Sequence, residues 1–125
     1  MLFDLRTYRV RPGALTAQLE IYAQEGYAVP RRYLGAPILY GTVETGDVNA
    51  YVHLWRLRDA ADRERKRTAL YTDQAWLQYR QRSVAAGYQT EQTNTLLRPA
   101  PFWRPGALQD ESAGGPAASP RPTER

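Results

Sequence analysis

His53 is the sole histidine of this 125-residue chain, and imidazole is the one side chain whose ordinary pKa lets it both accept and give up a proton near neutrality. It sits in the middle of Asn49-Ala-Tyr-Val-His-Leu-Trp-Arg-Leu57, a run rich in β-favouring residues. Strand alternation puts His53 on one side with Tyr51 and Trp55, and Val52 and Leu54 on the other. The run Leu2–Val10 divides in the same way: Asp4, Arg6 and Tyr8 against Phe3, Leu5 and Thr7. His53, Arg6 and Tyr8 are therefore candidate catalytic residues, a proton acceptor beside two donors able to orient a carboxylate, phenolate or enolate through charge-assisted hydrogen bonds. Each has a plainer reading. His53 could be a structural histidine with its hydrogen bonds satisfied inside the fold, and Arg6 could pair with Asp4 at a subunit interface. Tyr51, Trp55 and Tyr40 supply flat walls for a partly aromatic ligand, although aromatics on a sheet face also serve as core. Asn94, on the last strand, offers an amide donor to a bound oxygen.

Other chemistries lack raw material. The chain has no cysteine, which removes disulfides, thiolate metal sites, iron–sulfur clusters and cysteine nucleophiles together. With one histidine there is no multi-histidine metal site, and no metal is expected. No G-x-x-x-x-G-K or G-x-G-x-x-G pattern occurs, so a phosphate cradle is missing. Serines are confined to Ser83, Ser112 and Ser119, which leaves a Ser-His-Asp hydrolase almost nothing to build with. The net charge of +4 comes from seventeen cationic residues, all arginine except Lys66, interleaved with thirteen acids. A nucleic-acid surface needs a one-sided basic face, so no nucleic-acid partner is expected.

These residues need elements to hold them. Leu2–Val10 reads as a strand stopped by Arg11-Pro12-Gly13. Leu15, Leu19, Tyr22 and Ala23 follow a helical spacing that should continue to about Val29, before Pro30. Residues 38–43 and 49–57 form a hairpin around Gly46-Asp47. Asp59 caps a helix reaching towards Tyr71, and Thr72 or Asp73 caps another that ends at Gly87. Tyr88–Leu97 is a final strand, ended by Arg98-Pro99-Ala100-Pro101. The order β-α-β-β-α-β is the split βαβ plan of ferredoxin-like folds, an α+β class with a four-stranded antiparallel sheet and helices on one face. The aliphatic sets, Phe3 with Leu5 and Val52 with Leu54, are expected beneath the helices. The aromatic and polar set is expected on the open face. Residues 1–105 make the domain, and residues 106–125, rich in Pro, Gly, Ala and Ser, make a disordered tail. No apolar run reaches the ~20 residues of a membrane span, and the N-terminus has no secretory pattern, so the expected location is the cytoplasm.

The combination of Leu5-Arg6-Thr7-Tyr8 before Pro12-Gly13, Asn49-Ala-Tyr-Val-His53-Leu-Trp55, Ala61-Asp62-Arg63, Trp76 and Leu97-Arg98-Pro99-Ala100-Pro101-Phe102 resembles the NIPSNAP family over residues 2–102. The chain departs from the family pattern around Tyr33-Leu34-Gly35 and Tyr40-Gly41. The resemblance implies a homodimer in which two ferredoxin-like subunits pack sheet against sheet as a dimeric α/β barrel. It further implies a small, partly aromatic organic ligand in the barrel cavity, and cofactor-independent oxygenase or cyclase/isomerase chemistry in small-molecule metabolism, with Arg63 at the cavity mouth. Two other functions fit the same family: a non-catalytic binding or scaffold protein, and a haem-binding barrel with His53 as axial ligand.

Overall fold

The computed structural model describes residues 1–104. Its strands are β1 (Leu2–Val10), β2 (Leu39–Thr42), β3 (Ala50–Leu57) and β4 (Gln89–Leu97), and its helices are α1 (Leu15–Ile21), α2 (Ala28–Leu34), α3 (Ala60–Leu70) and α4 (Gln74–Ala86). The strands form one antiparallel sheet in the order β2-β3-β1-β4, the ferredoxin-like α+β arrangement. The expected end of the domain and the tail at 106–125 lie outside the described residues.

The first helix is not one unbroken α-helix to Val29, and Pro30 does not stop it: α1 ends at Ile21. A π-helical turn at Tyr22–Gly26 follows α1, with the Tyr27 amide donating to the Tyr22 carbonyl at 2.7 Å, and the chain bends at Tyr27 before α2 begins. Pro30 thus falls in the first turn of a new helix, where an amide donor is not required, and the helix runs on to Leu34. The wide turn is packed tightly: a Cβ added at Gly26 would stand 2.9 Å from Tyr22 and 3.0 Å from Tyr79. Further along, the Asp59 side chain accepts from the Asp62 amide to start α3, and Asp73, of the two candidates, caps α4 through the amides of Ala75 and Trp76. Gly87 closes α4 at φ 68°, a left-handed geometry that costs glycine nothing.

Alternation along the strands is as expected, but the two faces are exchanged. Asp4, Arg6, Val10, Tyr51, His53, Trp55 and Leu57 are the alternating buried positions of β1 and β3 and point under the helices, with Ala50, at the start of β3, buried as well. Phe3, Leu5, Val52 and Leu54 are only half-buried, on the opposite side. The reason lies in α3, whose positions 63, 67 and 70, spaced i, i+4, i+7, are Arg, Arg and Leu. A helix that turns two guanidinium groups towards the sheet needs acid and aromatic surface beneath it, and an aliphatic face offers neither. The aliphatic core is accordingly compact, formed by Val29, Leu34, Trp55, Leu57 and Leu70, with Tyr33, Tyr40, Tyr71 and Trp76 around it.

Candidate functional site

Between the sheet and the helices of a single subunit lies a cavity of about 120 Å³. Of the sequence candidates, Arg6, Tyr8, Tyr51, His53 and Trp55 line it, brought together by the register Arg6↔His53, Tyr8↔Tyr51 and Asp4↔Trp55. The cavity therefore lies under the helices and not on the open face of the sheet, because the faces are exchanged.

His53 is 6% exposed and ringed by aromatic groups, with Tyr40, Tyr22, Tyr8 and Tyr51 centroids at 4.4, 4.9, 5.0 and 5.5 Å. None of the hydrogen bonds among the described residues involves its ring. Burial, assisted by the positive charge of Arg6, pulls the imidazole down from 6.5 to about 3. Asp4 does not offset this, because its Oδ2 already accepts from Arg63 Nε at 2.9 Å and faces Arg6 Nη1 at 3.4 Å. At neutral pH the ring is uncharged, with a nitrogen lone pair free to accept a proton or hydrogen bond.

Arg6 is fixed from three sides. Its Nε donates to Tyr8 Oη at 3.1 Å, Asp4 lies beneath it, and Asn94 Oδ1, in the amide orientation that satisfies both ends, accepts from Nη1 at 2.8 Å. Burial works against its charge, but Tyr8 and then Asp4 outweigh that and raise its pKa. Tyr8 stacks on Tyr51 at 4.8 Å between centroids, and Tyr51 is held through its hydroxyl by Gln89 and Gln18. Burial raises the phenols of Tyr22 and Tyr51, and those of Tyr40 and Tyr79 to about 12. The ring walls are thus neutral donors and acceptors.

Three sequence candidates stand outside the lining. Tyr40 backs His53 and hydrogen-bonds Tyr22 between hydroxyls at 2.6 Å. Asn94, on the exposed strand β4, reaches the site only through Arg6. Arg63 serves Asp4. Sequence reasoning missed Tyr22, Arg67, Tyr71 and Arg80, all of which line the cavity. The Arg63–Arg67 spacing was the available signal for two of the four lost positions, since it marks the sheet-facing side of α3 and, one turn on, Tyr71.

The family model for NIPSNAP matches residues 3–104. This chain belongs to the NIPSNAP family. It is similar to an uncharacterized NIPSNAP domain protein from Burkholderia xenovorans at 31% identity and TM-score 0.77, over 83% of this chain and 99% of that one. It is also similar to a NIPSNAP family protein of unknown function from Agrobacterium tumefaciens, at 30% identity and TM-score 0.74, over 82% of this chain and 91% of that one. An antibiotic biosynthesis monooxygenase, at 17% identity and TM-score 0.56 over 81% of this chain and 100% of its own, shares the fold. A search of the curated proteins finds no match.

The NIPSNAP site does not suit haem. The cavity, about 120 Å³, is smaller than the ~300 Å³ at which pockets for drug-sized ligands begin, and four tyrosine rings crowd the imidazole that would have to meet the iron. Among the described residues no group of three or more His, Asp or Glu could hold a metal ion, and no helix is long and apolar enough to cross a membrane.

Proposed function

We propose that this NIPSNAP protein binds a small, partly aromatic molecule in the cavity of each subunit and moves a proton on it without a cofactor. The observation that carries the reading is the neutral, unpartnered imidazole of His53 lining a cavity beside Arg6 and Tyr8. A ligand with an acidic O–H or C–H would give its proton to the His53 lone pair. The anion formed would be held by the Arg6 guanidinium, whose rigid hydrogen bonds require little rearrangement at that moment. The same anion then coincides with the charge that depresses the imidazole, so proton transfer raises the basicity of His53 as it proceeds. Reprotonation at another atom gives an isomerase, attack on an internal electrophile gives a cyclase, and reaction with dioxygen gives an oxygenase. The aliphatic sheet face of Phe3, Leu5, Val52 and Leu54 receives a second copy and completes a dimeric barrel.

A chromogenic phenol tests the reading. Bound to the wild-type protein, 4-nitrophenol should show more phenolate absorbance at a given pH than it does in buffer, and His53→Gln should abolish the gain while leaving the fold intact. Binding with no change in ionisation would make the cavity a site of recognition only, the scaffold function.

A further inference from the structure

The cavity wall carries three cationic side chains, Arg6, Arg67 and Arg80, and no carboxylate. Asp4, next to it, is shared between Arg6 and Arg63. Arg67 and Arg80 have no ion-pair partner among the described residues; both rest on one tyrosine, with guanidinium carbons 5.4 and 5.0 Å from the centre of the Tyr71 ring, and Arg67 donates to the Tyr71 hydroxyl at 3.2 Å. Arg67 is half-buried and Arg80 exposed at the cavity edge, and a partly desolvated cation without an anion beside it is a ready receiver of one. Here the mismatch is also felt inside the protein, since burial and then the nearby charge of Arg6 lower the pKa of Arg67. The same wall also carries aromatic groups, Trp55, Trp76 and Tyr22, with Trp76 packed edge-on to Tyr71 at 6.3 Å between centroids.

We propose that the ligand is a single-ring aromatic carboxylate, its ring laid against Trp55 and His53 and its carboxylate received by Arg67 and Arg80. The inference rests on the aromatic-ligand reading above and adds the charged group. Two guanidinium forks converging on one ring suit a planar, bidentate acceptor. The size agrees as well: about 120 Å³ is close to the ~150 Å³ of an engineered cavity that takes up benzene.

Benzoate, benzamide and acetate distinguish the possibilities, with binding followed by titration calorimetry and by the fluorescence of Trp55 and Trp76. Benzoate should bind at least tenfold more tightly than benzamide, its neutral isostere, and than acetate, which lacks the ring. Arg67→Gln should remove that preference by weakening benzoate tenfold or more while leaving benzamide within about twofold. Arg80→Gln, on an exposed position, should do the same to a smaller extent and covers the case in which Arg67→Gln fails to fold. Equal binding of benzoate and benzamide would overturn the carboxylate while the aromatic cavity stands. Equal binding of acetate and benzoate would reduce the site to a bare anion hole, and absence of benzoate binding would overturn the inference outright.

Discussion

The two faces of this sheet are built from the same strands at the same spacing and do different work. Beneath the helices, β1 and β3 present Asp4, Arg6, Tyr51, His53 and Trp55, all nearly sealed from water. On the other side Phe3, Leu5, Val52 and Leu54 remain half in solvent. The inner face spends stability on polar groups to make a charged, aromatic chamber. The outer face is mostly uncharged, with Phe3, Leu5, Val52 and Leu54 beside Thr7, Thr93 and Thr95 and the cation Arg56. Because the cavity lies under the helices of the same chain, the proposed site can be complete within one chain, and the proposed partner copy would cover the outer face and supply no ligands.

The largest difference should appear when charge is removed from the inner face. Asp4 is the only acid among the buried groups of the sheet, and Arg6 and Arg63 both rely on it. Asp4→Asn should destabilise the fold by ~3 kcal/mol or more, the usual consequence of leaving a buried cation without its partner. Urea melts measure it, and a loss below ~1 kcal/mol would mean that the arginines are solvated from the cavity.

On the outer face the same kind of disturbance should act on association and leave the fold alone. Leu54 pairs in register with Leu5 and Leu39, so Leu54→Asp places a charge at the centre of the apolar patch. The expected outcome is a fall in dimer affinity of a hundredfold or more, about 2.7 kcal/mol, read by light scattering across a dilution series, with the subunit's circular dichroism unchanged. Wild-type protein that is monomeric at micromolar concentration would remove the proposed role of this face.

His53 gives the inner face a pH dependence that the outer face lacks. Its folded pKa, about 3, is below the unfolded value of 6.5, so the unfolded chain binds a proton first as pH falls. The contribution is intact above pH 6.5 and is lost progressively as pH drops towards 3. Between pH 7 and pH 5 the wild type should lose about 2 kcal/mol more than His53→Gln, taken from the linkage relation. Parallel losses in the two proteins would place solvent, and not rings, around the imidazole.

How the faces were assigned also marks the limit of reading the chain alone. Strand alternation, the caps at Asp59 and Asp73 and the stop at Gly87 are local, and all were legible, as was the grouping of His53 with Arg6, Tyr8, Tyr51 and Trp55. Which group faces the helices is a matter of what the helices bring, and α3 brings Arg63 and Arg67. Aliphatic-in, polar-out is a rule for cores without cavities. The restart of the helix around Pro30 was hidden for a similar reason, because the π-helical turn that precedes it is packed against Tyr79, which a Cβ at Gly26 would meet at 3.0 Å.

The smallest expected effect concerns Asn94, which lies on the inner side of β4 opposite Arg6 yet is exposed, since no helix covers that strand. Removing its side chain strands little, because Asn94 is exposed and its truncation opens the Arg6 Nη1 donor to solvent while Tyr8 and Asp4 still hold the guanidinium. Asn94→Ala should therefore cost the fold no more than ~1 kcal/mol, the ordinary net value of a hydrogen bond to a charged group discounted for exposure. Its influence should be felt in the chamber instead: with one of three restraints gone, Arg6 is less firmly aimed, and the gain in phenolate on binding 4-nitrophenol should shrink about threefold while binding itself holds. A tenfold or greater loss of 4-nitrophenol binding itself would instead make Asn94 a direct ligand contact, reached by a side-chain turn into the cavity.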